Sequence, residues 1–209
     1  MRHIPAGNAG ELPVLSFEDA LCPTCDDFDR ERWIYVPDHY CEYRYLLGTR
    51  GQRPLICVGV NPSTAIPDRL DNTLKSVERV ALYNGFDSFL MFNVYAQRAT
   101  LPDDMTPEMN PALHEENRKA FAWALEHAGP HPAVWAAWGA VIEKRGYLPA
   151  CVLDLARLGE AYEARWFTAG PRSRAGHPHH PLYLKKTSLL EPFTDLEAYL
   201  NGLKRGNAK

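Results

Sequence analysis

The sequence predicts an α/β fold: three α/β/α layers around a mostly parallel four-stranded sheet, with a β-hairpin on the N-terminal side. Three observations carry that expectation. Residues 55–58 (LICV), with Val60 just beyond Gly59, form a short apolar run of the kind a strand buried on both faces requires. Residues 88–96 (SFLMFNVYA), 133–138 (AVWAAW) and 165–169 (RWFTA) repeat the pattern. Between them, apolar residues recur at helical spacing, as at Leu74, Val77, Val80 and Ala81. Strands that alternate with amphipathic helices build βαβ units and hence a parallel sheet.

The elements follow in order. Residues 1–30 read as irregular. Residues 32–36 and 40–47, rich in aromatic and β-branched side chains around Pro37 and Asp38, read as the two arms of a hairpin. A turn at 49–53 leads into the first parallel strand, and the polar turn Asn61-Pro62-Ser63-Thr64 ends it. A helix begins near Asn72, and Gly85 closes it as a C-cap. After the second strand comes a loop at 102–111 with three prolines, then a helix at 114–128. The third strand ends at Gly139, with a short helix around Val141 and Ile142 and another at 151–158. The fourth strand enters a Pro- and His-rich loop, and a closing helix lies within 189–203. With 209 residues, the chain suits one domain burying roughly 70% of its unfolded surface. Residues 1–50 would form the extension and hairpin, and residues 51–205 the core.

Composition narrows the function. A net charge of −3 argues against a broadly basic nucleic-acid binder. The charge is uneven, however. Residues 164–190 contain no acid, against Arg165, Arg172, Arg174, Lys185, Lys186 and three histidines. Such a patch can face phosphate or simply be a solvated loop. No apolar run approaches the ~20 residues of a membrane span, and the opening MRHIPAGNAGELPVL lacks a signal-type apolar core. The expectation is a cytoplasmic protein with no membrane partner. Five cysteines suit reduced thiols. Cys22, Cys25, His39 and Cys41 have soft-ligand character, which makes them a weak candidate for structural zinc against free thiols as the plainer reading. No other cofactor is expected.

Ligands of open α/β sheets sit beyond the carboxyl ends of the strands. Four such ends deliver Asn61, Asn93, Trp138 with Gly139, and the loop carrying His177 and His180. Ser63, Thr64 and Asp71 lie on the same rim, and Arg98 follows the second strand. Each has a bland alternative. Asn-Pro-Ser is an ordinary turn, Ser and Thr before a helix are ordinary N-caps, and a strand asparagine can bond neighbouring backbone.

Read together, Gly59-Val-Asn-Pro62, Phe92-Asn93-Val-Tyr95, the Trp135 to Gly139 strand and Gly176-His-Pro-His-His-Pro-Leu182 resemble the motifs of the uracil-DNA glycosylase superfamily, in its mismatch-specific thymine/uracil branch. NPST followed by DNTL, N-x-Y-x-x-R-A-T and GHPxHPLY is similar to a family of bacterial and phage proteins of unassigned function, over about residues 43–190. The superfamily resemblance implies a glycosylase-like fold and a partner that is a nucleobase or nucleotide, free or within single-stranded or damaged DNA. It implies hydrolysis of an N-glycosidic bond, with Asn61 holding the water and His177 or His180 donating to the base oxygen. Asn93 would read the base edge, with Ser63, Thr64, Asp71, Arg98 and Trp138 as further contacts. The extra histidine leaves open which imidazole enters the site. The alternative is a catalytically silent binding or interaction module of the same fold.

Overall fold

A computed structural model describes residues 2–7 and 12–206. Its architecture is mixed α/β. One sheet carries seven strands in the order β1-β2-β4-β3-β5-β6-β7. These are β1 (Trp33–Val36), β2 (Leu46–Thr49), β3 (Pro54–Gly59), β4 (Ser88–Asn93), β5 (Ala133–Ala136), β6 (Arg165–Ala169) and β7 (Leu190–Pro192). The expected four-stranded sheet is therefore corrected to seven. The central β4-β3-β5-β6 are mutually parallel, while β2 and β7 pair antiparallel at their two sides and β1 pairs antiparallel with β2. Alternation along each strand sends successive residues to opposite faces. Leu55, Cys57, Phe89, Met91 and Trp135 pack on one side against Leu74, Val77, Val80 and Ala81 of α2 (Asn72–Tyr83). Ile56, Val58, Leu90, Phe92, Val134 and Ala136 pack on the other. That second face is covered by α1 (Phe17–Leu21), α3 (Pro111–His127), α4 (Leu148–Ala161) and α5 (Leu196–Gly206).

The helices after β3 and β5 thus lie on opposite faces of adjacent strands. The carboxyl ends of β3 and β5 therefore mark the switch point of the sheet.

Local chemistry explains the boundaries. Asp71 caps α2 by accepting from Leu74 N at 2.9 Å. Beyond the C-cap Asn84, Gly85 takes φ +83°, which favours glycine. α3 starts earlier than its apolar spacing suggests, because Asn110 accepts from Leu113 N and Pro111 suits the first helical position. The second hairpin arm is displaced: β2 runs Leu46–Thr49, not 40–47. Gly48 sets the close approach to β4, since a Cβ there would fall 2.1 Å from Phe89 O. Residues 37–45 become a long loop, anchored by the buried Asp38 carboxylate, which accepts from Thr24 N, Cys25 N and Arg30 Nη2. Burial pushes its pKa up, but the bond from Thr24 Oγ1 together with these others outweighs it and holds the carboxyl well below the usual carboxylate range. The closing helix expected within 189–203 is α5, and the short strand β7 precedes it. No described helix is long and apolar enough to cross a membrane.

Candidate functional site

The parallel register pairs Gly59 with Asn93, so the chain leaves β3 and β4 at the same level. The two exits are stitched together. Asn61 Nδ2 donates to Pro62 O at 3.0 Å and to Ala99 O at 2.7 Å, and Ala99 N donates to Pro62 O at 2.9 Å. Among the described residues, Asn61 Oδ1 accepts no hydrogen bond. Ser63 Oγ donates to Thr100 Oγ1 at 3.4 Å.

Two arginines hold this loop from beneath. Arg98 donates through Nη1 to Ser63 O and Ala65 O and through Nη2 to Tyr35 Oη. Arg44 Nη1 donates to Ala65 O at 3.2 Å. Both are buried, and the Nε of each is sealed without a partner among the described residues. Burial, reinforced by the charge of Arg98, pushes the Arg44 pKa down to about 9, while Asp71 pulls the other way. Burial raises the Tyr35 phenol, and both arginine charges oppose the rise.

Above the arginines, Tyr40, Thr64, Arg69, Leu70 and Asp71 line a cleft of about 450 Å³. Tyr40 is 46% exposed, and the Arg98 guanidinium carbon lies 4.3 Å from its ring centroid. The cleft therefore offers an aromatic surface backed by a cation, with a hydroxyl, a carboxylate and a guanidinium around it.

The two histidines part company. Burial lowers the pKa of His180; the Asp71 carboxylate opposes that and the neighbouring His179 adds to it. His180 thus belongs to the electrostatic surroundings of Asp71, and its Nδ1 accepts from Leu182 N at 3.3 Å. His177 instead joins a buried chain. Trp138 Nε1 donates to Tyr199 Oη at 2.9 Å, and the same hydroxyl is hydrogen-bonded to His177 Nδ1 at 3.0 Å. His177 Nε2 lies 3.3 Å from Glu143 Oε1 but off hydrogen-bond alignment. His177, Glu143, Tyr199, Arg172 and Asp195 border a second cleft, of about 690 Å³.

The sequence candidates therefore separate. Thr64 and Asp71 line the first cleft, and His180 lies within electrostatic reach of Asp71. Asn61 and Ser63 occupy the same loop but bond to the segment after β4, and Arg98 lies beneath. Trp138 is fully buried in the core, with its indole N–H spent on Tyr199. Asn93 is sealed as well: it has no exposed surface, and neither side-chain amide atom has a hydrogen-bond partner among the described residues. The zinc candidates are not gathered. Cys22, Cys25 and Cys41 donate to the carbonyls of Glu18, Asp38 and Tyr43, and His39 sits against the Asp38 carboxylate. Among the described residues, no group of three or more His, Cys, Asp or Glu side chains can hold a metal ion.

Tyr40, Arg44 and Arg69 were not among the candidates. Arg44 did leave a signal, as a lone cation inside the aromatic run Tyr43-Arg44-Tyr45.

Residues 44–182 match the model of a family described as a protein of unknown function, DUF1643. No curated protein and no solved structure matches the chain.

Proposed function

The chain belongs to the DUF1643 family, and we propose that it recognises a nucleobase or nucleotide, free or within a single strand of nucleic acid, in the Tyr40–Asp71 cleft. The supporting observation is the half-exposed Tyr40 ring laid on the Arg98 guanidinium at the wall of that cleft. An aromatic face accepts any base by stacking, worth ~1–3 kcal/mol per base. The Thr64 hydroxyl and the Asp71 carboxylate supply a donor and acceptors for its polar edge. The cleft volume is that of a small-molecule site.

These groups also suit hydrolysis of an N-glycosidic bond. Water oxygen bonds to the sugar carbon, and the C–N electron pair departs with the base, which then gains a proton. Asn61 Oδ1 is the acceptor that would orient the water. A neutral His180 would donate to the base oxygen as charge develops, a role worth ~3 kcal/mol when well aligned. His177, turned toward Tyr199 and Glu143, takes no part in this scheme. The sealed Asn93 favours a second reading, in which the same cleft binds its ligand without turnover, because the asparagine assigned to base recognition does not reach the cleft.

Thermal-shift titration with nucleobases, nucleosides, nucleotides and uracil-containing single strands tests binding, and release of free base tests turnover. The expected result is stabilisation by at least one base-bearing compound that is lost in Tyr40→Ala. A panel without any shift contradicts the proposal; a shift without base release selects the binding-only reading.

A further inference from the structure

We propose that the cleft takes a phosphate group of its ligand, drawn by the positive charge of the buried Arg44 and Arg98, which lie beneath the loop joining β3 to α2 without themselves lining the cleft; this rests on reading the cleft as a nucleotide site. Arg44 and Arg98 are 1% and 0% exposed. Among the described residues neither forms an ion pair with a carboxylate. Their bonds go to the carbonyls of Ser63 and Ala65 and the hydroxyl of Tyr35, all of them neutral acceptors.

Burying one cation without an anion is costly, and burying two that repel each other is more so. Stapling two carbonyls does not explain that cost, because a neutral amide donor would serve as well. Two buried positive charges below a surface cleft are accounted for when the ligand brings the anion. Arg44 has the capacity to answer it: Nη1 is spent on Ala65 O, whereas Nη2 has no protein acceptor among the described residues. The planar guanidinium fork matches phosphate oxygens.

The surroundings agree in sign. α2, twelve residues long, begins at the cleft, so its first-turn N–H groups and dipole favour an anion there. Arg69 adds a third guanidinium on the rim. The opposing charge is Asp71, which caps α2 through Leu74 N and acts on Arg44 without forming an ion pair with it. Three cations against one carboxylate leave the site with an excess of positive charge. The same phosphate chemistry can come from the monoester of a mononucleotide or the diester of a strand.

Calorimetric titration of the full chain with deoxyuridine, deoxyuridine 5′-monophosphate, inorganic phosphate and a single-stranded oligodeoxyuridine lacking terminal phosphates tests this directly. The nucleotide is expected to bind about ten-fold or more tightly than the nucleoside, the scale of a charge-assisted hydrogen bond. Inorganic phosphate is expected to compete with it. Arg44→Gln is expected to abolish that preference while sparing nucleoside affinity, and Arg44→Lys to restore part of it. If Arg44→Gln fails to fold, the comparison of nucleotide with nucleoside on the natural chain decides. Equal affinity for the two overturns the phosphate site and leaves the base reading standing. Binding of inorganic phosphate with no gain from any base supports the phosphate site and overturns the base reading. Competition by the unphosphorylated strand identifies the diester as source, and its failure beside a tight monoester identifies the mononucleotide.

Discussion

Asn93→Leu is expected to stabilise the protein. Asn93 ends β4 with no exposed surface, and its Oδ1 and Nδ2 are both without partners among the described residues. Each orphaned polar group costs ~1–3 kcal/mol of desolvation, and an apolar side chain of similar shape removes that cost. Gly59 on the paired strand makes room for the present side chain: a Cβ there would lie 2.6 Å from Met91 Cε and 3.2 Å from Asn93 Oδ1, so Leu must fit the space Asn93 now fills, beside Met91. Overpacking subtracts from the gain. A net stabilisation of ~1–3 kcal/mol corresponds to a rise of roughly 2–12 °C in melting temperature for a chain of this size. Urea unfolding followed by circular dichroism measures it, with an unchanged m-value as the sign that only stability moved. A loss of ~1 kcal/mol or more at unchanged m would refute the reasoning, because Asn93 would then be hydrogen-bonded in the folded protein.

Other expectations concern separate parts of the molecule. Tyr199→Phe removes at once the acceptor of Trp138 Nε1 and the hydroxyl partner of His177 Nδ1. It should lower stability by ~2 kcal/mol or more in the same unfolding assay, since two buried groups lose their partner. His180 has its pKa lowered from 6.5 by burial, so the unfolded chain takes up its proton more readily. Its contribution is present above about pH 6.5 and is lost as pH falls through that value toward the lower folded pKa; melting temperatures from pH 8 to 5 should fall less in His180→Gln than in the natural protein. Thiol titration should find Cys22 reactive in the folded protein. Cys57 and Cys151, buried and with thiol pKa values raised by desolvation, should react only on unfolding.

The parallel strands and their helices were legible because burial on both faces imposes unbroken apolar runs, and a covering helix imposes its own period. β7 carried no such signal: it is three residues long and largely exposed. The position of β2 depended on Gly48 meeting a neighbouring backbone and on Asp38 gathering donors from residues 24, 25 and 30, contacts distant in sequence that no local pattern reveals. The rim was legible as a place, and Thr64 and Asp71 lie in the cleft found there. The directions of side chains were not. Asn93 and Trp138 stand at strand ends yet turn inward, and His177 and His180, three residues apart, serve different surroundings. Arg44 was missed because charged residues are ordinarily assumed to be exposed.

The most direct test of a ligand site at the Tyr40–Asp71 cleft is nuclear magnetic resonance mapping of backbone amides during titration with deoxyuridine 5′-monophosphate and with a uracil-containing single strand. The predicted result is saturable shifts concentrated at Tyr40, Thr64, Arg69, Leu70 and Asp71. Shifts centred instead on Glu143, Arg172, His177 and Tyr199, or none at all, would contradict it.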